Sequence, residues 1–140
     1  MQSAELARLL LQKAKQDQYA MNRLLDDPAA PNEVIGFHAQ QAVEKMTKAV
    51  LALHAIDYRR THQLEELVAI LDDSGISYPP ELSEAVALTP FAVEFRYDLL
   101  PVHDDPCPFD RQWAKRCIEQ IEQWASSLLP RGDGERETRS

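Results

Sequence analysis

Glycine is scarce in this chain, four residues in 140. A β-rich protein would need more of it at hairpins and tight turns. Cysteine is scarcer still: Cys107 and Cys117 are the whole complement, which excludes a disulfide-dense scaffold. No apolar run approaches the roughly 20 residues of a membrane span, and the N-terminus lacks the basic and apolar regions of a secretory signal. The expectation is a cytoplasmic protein with both cysteines reduced. Positive charge is also in deficit. Fifteen Lys and Arg against 23 Asp and Glu leave a net charge of −8, which speaks against broad nucleic-acid binding and against DNA in particular. A local basic site stays open, with Arg59 and Arg60, Arg96, and the group Arg111, Lys115 and Arg116 as its candidates.

What the chain does hold is helix formers, with 44% hydrophobic and 27% charged residues in the ordinary balance of a globular domain. Ser3 can cap a first helix to Leu25, with Ala7, Leu11, Ala14, Met21 and Leu25 at helical spacing. Pro28 and Pro31 separate it from a second, running from Pro31 and Asn32 to about Ile56. Its stripe of Ile35, Ala39, Ala42, Met46, Ala49 and Leu53 is widened by Val43 and Val50, and small alanines there let a neighbour approach closely. Thr61 or His62 can cap a third helix that Ser74-Gly75 stops. Pro79-Pro80-Glu81 opens a fourth through Leu82, Val86 and Leu88, and Thr89-Pro90 restarts it as a piece reaching Tyr97 or Leu100. Prolines and paired aspartates make 101–108 a loop. Asp110 then caps a last helix with Ala114, Cys117, Ile118, Ile121, Ala125 and Leu128 inward. The expected fold is all-α, an up-and-down antiparallel bundle of about five helices over residues 1–129, followed by a disordered polar tail over 130–140.

The polar side of the second helix is unusually particular. His38, Gln41 and Lys45 share one face by the i, i+3, i+7 rule, with Gln40 and Glu44 on an adjacent strip. Such a set can line a polar pocket or a pairing surface, or be an ordinary solvated helix face. No Gly-rich phosphate loop, hydrolase elbow or paired-carboxylate motif is present. His103, Asp104, Asp105 and Cys107 are metal-ligand types without zinc-site spacing, so neither a metal nor a cofactor is expected.

The run Phe37-His38-Ala39-Gln40-Gln41-Ala42-Val43-Glu44-Lys45, followed by Lys48 and Ala49, resembles the signature of the HEPN domain. So do Thr61-His62 before Leu64 and Leu67, and the pair Arg96-Tyr97 before the last helix. The likeness extends from about Ser3 to Leu129. It implies a helical bundle that dimerises, encoded beside a minimal nucleotidyltransferase as a toxin–antitoxin-like module. It also implies, for some members, a metal-independent ribonuclease using Arg, four to six residues, then His.

Arg96 and His103 meet that spacing at its upper limit, with six residues between them. Histidine, with an unperturbed pKa of about 6.5, suits removal of a ribose 2′-hydroxyl proton. Arginine offers a charged planar fork to phosphate oxygens. Two such pairs meeting across a dimer axis would form a composite cleft. Pro101 between them ends the helix, which places His103 on a loop beside Asp104 and Asp105. Two site-based readings therefore stand, beside a third in which the chain is a plain helical oligomerisation partner using the widened stripe of the second helix. One is an endoribonuclease with Arg96 and His103 catalytic and RNA as substrate, Tyr97 being the tyrosine nearest the motif for a partner to modify. The other is a non-catalytic module that holds a nucleotide or docks a nucleotidyltransferase through His38, Gln41, Lys45 and His62.

Overall fold

The structure, a computed structural model, describes residues 3–94 and 109–129. Helix α1 spans Ser3–Leu25 and α2 spans Asn32–Leu53. The two pack as an antiparallel hairpin across the loop at Pro28 and Pro31. Every residue of the predicted α1 stripe is buried. Helix α2 lies at the centre of the molecule, against α1 and all the later helices. Its buried residues therefore extend well past the apolar stripe, to Gly36, Gln40, Glu44 and Thr47. Each Leu- or Met-sized side chain so enclosed contributes roughly 1.5–3 kcal/mol.

Helix α2 stops at Leu53, three residues before the predicted Ile56. His54 caps it, and Ala55 takes the left-handed conformation at φ 57°. The Ala55 amide donates to the Ala52 carbonyl and the Ile56 amide to Leu51, the paired bonds of a Schellman end. Helix α3, Leu64–Asp73, ends the same way one residue after Ser74: Gly75 sits at φ 71°, and Ile76 donates back to Leu71. The chain between α2 and α3 does not turn at once. It returns beside α2, far enough for the His62 carbonyl to accept a bond from Gln40 Nε2 at 3.0 Å.

The cap of α3 differs from the one expected. Gln63 precedes the helix without a side-chain cap. Thr61 Oγ1 accepts from the Gln63 amide, and the Leu64 amide is satisfied by Thr89 Oγ1 from across the bundle. Helix α4, Pro80–Ala85, passes through a 3-10 turn at Val86–Leu88 into α5, Thr89–Glu94. That is the broken fourth helix of the sequence reading; its extension toward Tyr97 or Leu100 lies outside the described residues.

Helix α6, Arg111–Leu128, begins at Asp110, whose Oδ1 accepts from the Trp113 amide at 3.0 Å. Ala114, Cys117, Ile118, Ile121 and Ala125 are buried as expected, whereas Leu128, predicted inward, is 40% exposed near the helix end. The two indoles anchor α6 to α4 and its approach, Trp113 Nε1 donating to Glu84 and Trp124 Nε1 to the Ser77 carbonyl. Arg111 has a purely structural task. Its guanidinium donates to the carbonyls of Leu24, Leu25, Asp27 and Ala30 and to Asn32 Oδ1, closing the C-terminal end of α1 and the loop after it. It is therefore not part of a solvent-facing basic patch. The arrangement is an all-α helical bundle, with no strand among the described residues.

Candidate functional site

Two polar clusters flank α2. The first lies in the seam with α1. Asp17 Oδ1 meets His38 Nδ1 at 3.1 Å, and Asp17 Oδ2 accepts from Lys45 Nζ at 2.6 Å. His38 and Lys45, seven residues apart on α2, thus converge on one carboxylate. All three side chains are largely covered. Asp17 was not singled out from sequence, although a signal existed. The apolar stripe of α1 steps from Ala14 to Met21 and skips a turn, and Asp17 stands in the gap.

The second cluster centres on Glu44, whose side chain is 5% exposed. Its Oε1 accepts from Gln40 Nε2 at 3.0 Å and from His62 Nδ1 at 2.8 Å, while Oε2 accepts from Lys48 Nζ at 2.8 Å. Burial would push the Glu44 carboxyl up. The hydrogen bonds from Lys48, Gln40 and His62, with the charge of Lys48, outweigh it and hold the group below its ordinary range. An ionised oxygen can only accept, so His62 carries its proton on Nδ1. Lys48 also lies 5.6 Å from the Tyr58 ring centroid, in cation–π range. Burial, then the charge of Glu44, raise the Tyr58 hydroxyl pKa, so it stays protonated.

Gln41 extends the second cluster, donating from Nε2 to Gln40 Oε1 at 2.7 Å. Gln40 is thereby engaged at both ends of its amide, the nitrogen shared between Glu44 and the His62 carbonyl. Among the described residues no buried side-chain nitrogen or oxygen lacks a partner. Of the four binding residues expected from sequence, His38 and Lys45 share one carboxylate and His62 and Gln41 belong to the other cluster. Gln40 and Glu44, read from sequence as a strip beside that face, are its buried core. A second stripe of Gly36, Gln40, Glu44, Thr47 and Leu51 at steps of four and three marks them, polar residues included.

Arg96, Tyr97 and His103 lie outside the described residues. The residues that bracket them are in contact. The Phe91 ring on α5 packs edge-on to Phe109, with centroids 5.4 Å apart, and against the bare backbone of Gly36 on α2. These contacts tie α5 to the start of α2 and to the approach to α6. Cys117 is buried, and burial, followed by Glu84, pushes its thiol up to about 11, so it packs rather than reacts. Among the described residues no group of three or more His, Cys, Asp or Glu could hold a metal ion, and no helix is long and apolar enough to cross a membrane.

Compared with known proteins, the chain matches the family model described as the HEPN domain over residues 7–126. No curated protein and no solved structure matches it.

Proposed function

Since the chain belongs to the HEPN domain family, we propose that it is one half of a toxin–antitoxin-like pair, its partner a small nucleotidyltransferase and its target RNA. The observation that carries this reading is the match itself. It covers residues 7–126, nearly all of the bundle, and includes the stretch in which six residues separate Arg96 from His103; the family is often ribonucleolytic or toxin-like.

In this reading His103 removes the proton of a ribose 2′-hydroxyl, and the oxygen attacks the adjacent phosphorus. Arg96 donates to the equatorial oxygens as negative charge builds there. The bond from phosphorus to the 5′-oxygen breaks, that oxygen takes up a proton, and a 2′,3′-cyclic phosphate remains. Two copies of the chain would pair so that both Arg96–His103 sets face one cleft.

The deciding experiment is RNA cleavage in EDTA by the wild-type chain, His103→Ala and Arg96→Ala, each checked for helicity by circular dichroism. Cleavage lost in both variants establishes the activity and its two residues. Cleavage absent from wild type, or retained by either variant, rejects it.

A second reading, a non-catalytic module that holds a nucleotide or docks the nucleotidyltransferase, is favoured by one observation. His62 is held by a buried network yet half of its side chain faces solvent. Harmless expression of the folded chain alone supports this reading. Growth arrest relieved by the partner supports the nuclease.

A further inference from the structure

His62 is supported far more thoroughly than a surface histidine requires. Its ring is fixed through Nδ1 by the buried Glu44 carboxylate at 2.8 Å, and its backbone carbonyl by Gln40 at 3.0 Å. The neighbouring Thr61 is buried, its hydroxyl engaged by the Gln63 amide. Nδ1 is occupied and the side chain is 52% exposed, which leaves Nε2 on the open side of the ring. An imidazole oriented by a carboxylate behind it, with the far nitrogen presented outward, is prepared to meet a ligand rather than to fill space.

The charges around it favour an anion. Lys48 sits on the second oxygen of Glu44 at 2.8 Å and cancels its charge, so an anion near His62 does not face a bare carboxylate. Of the two adjacent arginines, Arg59 is committed to Glu66, Nε bonding both carboxylate oxygens at 2.9 Å. Glu65, the other acid at the start of α3, receives the Thr89 hydroxyl. Arg60 is exposed, and no hydrogen bond or ion pair holds it among the described residues. In the approach to α3, Arg60 lies at a bend and is exposed, Thr61 is buried and His62 is exposed again, so the guanidinium and the imidazole flank one buried residue on the surface of this connection.

We propose that Arg60 and His62 bind the phosphate group of a small phosphate monoester, with Arg60 pairing to two oxygens and His62 Nε2 to a third. The inference rests on the second of the two readings above and narrows it to a site on the α2–α3 connection. His38 and Lys45 are not part of it, because Asp17 holds both. One proton lies between Nε2 and the phosphate oxygen, whether it is written as imidazolium with dianion or imidazole with monoanion. A small ligand fits better than a polyanion: one imidazole and one guanidinium match a single phosphate, and the chain carries a net charge of −8.

The test follows the His62 ring by proton–nitrogen NMR in the full chain. Inorganic phosphate and adenosine monophosphate are titrated separately at constant ionic strength, in wild type, Arg60→Gln, His62→Gln and the distant Lys115→Gln. Saturable shifts of the His62 ring are expected with both probes. Arg60→Gln should weaken binding about tenfold, the loss of one charge-assisted pair. His62→Gln should abolish it, and Lys115→Gln should match wild type. Among the described residues nothing holds Arg60, so its variant tests the proposal even if His62→Gln unfolds. Nucleotide binding unchanged in Arg60→Gln and His62→Gln overturns this site while leaving a nucleotide-binding module standing. No saturable binding of either probe overturns both. Shifts produced by an RNA oligonucleotide but by neither small probe also overturn the proposal, in favour of a polymer ligand.

Discussion

Phe91 occupies the space that any side chain on Gly36 would need: a Cβ built there falls within 2.7 Å of three of its ring atoms. Phe91 in turn meets Phe109 edge-on, so the bare backbone of one glycine seats the junction of α5, α2 and the approach to α6. Gly36→Ala should force the ring aside at a cost of about 1–3 kcal/mol, as overpacking of a close contact does. Urea unfolding checks this, and adding Phe91→Leu should restore part of the loss. An unchanged midpoint for the single variant would show that the ring moves freely.

Arg111 contacts five acceptors around the end of α1. Arg111→Ala should lower stability by about 2–3 kcal/mol, since charge-assisted bonds are lost and partly covered carbonyls are left bare. The melting temperature should fall on the order of 10 °C. Arg111→Lys should recover only a fraction, because a point charge cannot reach a ring of carbonyls as a planar fork does. Full recovery with lysine would mean that charge alone closes this helix end.

Glu44 has its folded pKa held below the ordinary 4.5. A depressed carboxylate contributes stability that is complete above 4.5 and is lost as pH falls from there through the folded value. Wild type should therefore lose stability more steeply below pH 4.5 than Glu44→Gln, which has no such group to protonate. Chemical denaturation at stepped pH gives both slopes. Equal slopes would remove Glu44 from the acid response.

Ala55 adopts at φ 57° the conformation that Gly75 adopts at φ 71° in the equivalent place after α3. An L side chain in that region costs roughly 1–2 kcal/mol, part of which glycine returns through its freer unfolded chain. Ala55→Gly should therefore stabilise by about 0.5–1 kcal/mol, and Gly75→Ala should destabilise by a similar amount. A loss of melting temperature in Ala55→Gly would contradict this account of the α2 end.

The bundle was legible because helix boundaries depend on local chemistry: prolines at 28 and 31, Asp110 as a cap, Gly75 as a stop. The departures came from long-range contacts. Thr89 caps α3 from 25 residues away, and no window around Thr61 contains it. Ala55 ends α2 without the glycine that would have announced it. The particular residues of α2 were visible as a pattern, but the burial of Gln40 and Glu44 was not. Burial of a polar helix face depends on what returns to cover it, here the chain through His62. Asp17 escaped notice because its partners, His38 and Lys45, are 21 and 28 residues further on.

The convergence of His38 and Lys45 on Asp17 also fixes how α1 and α2 align lengthwise. Several of the covered residues on this pair are alanines, at 7, 14, 39, 42, 49 and 52, whose small side chains on their own would allow sliding. A slip of one turn, about 5.4 Å, would leave most alanine contacts interchangeable. It would also separate a largely covered carboxylate from both of its cations. One acidic residue in a gap of the apolar stripe thus acts as the index mark that gives the hairpin a single register.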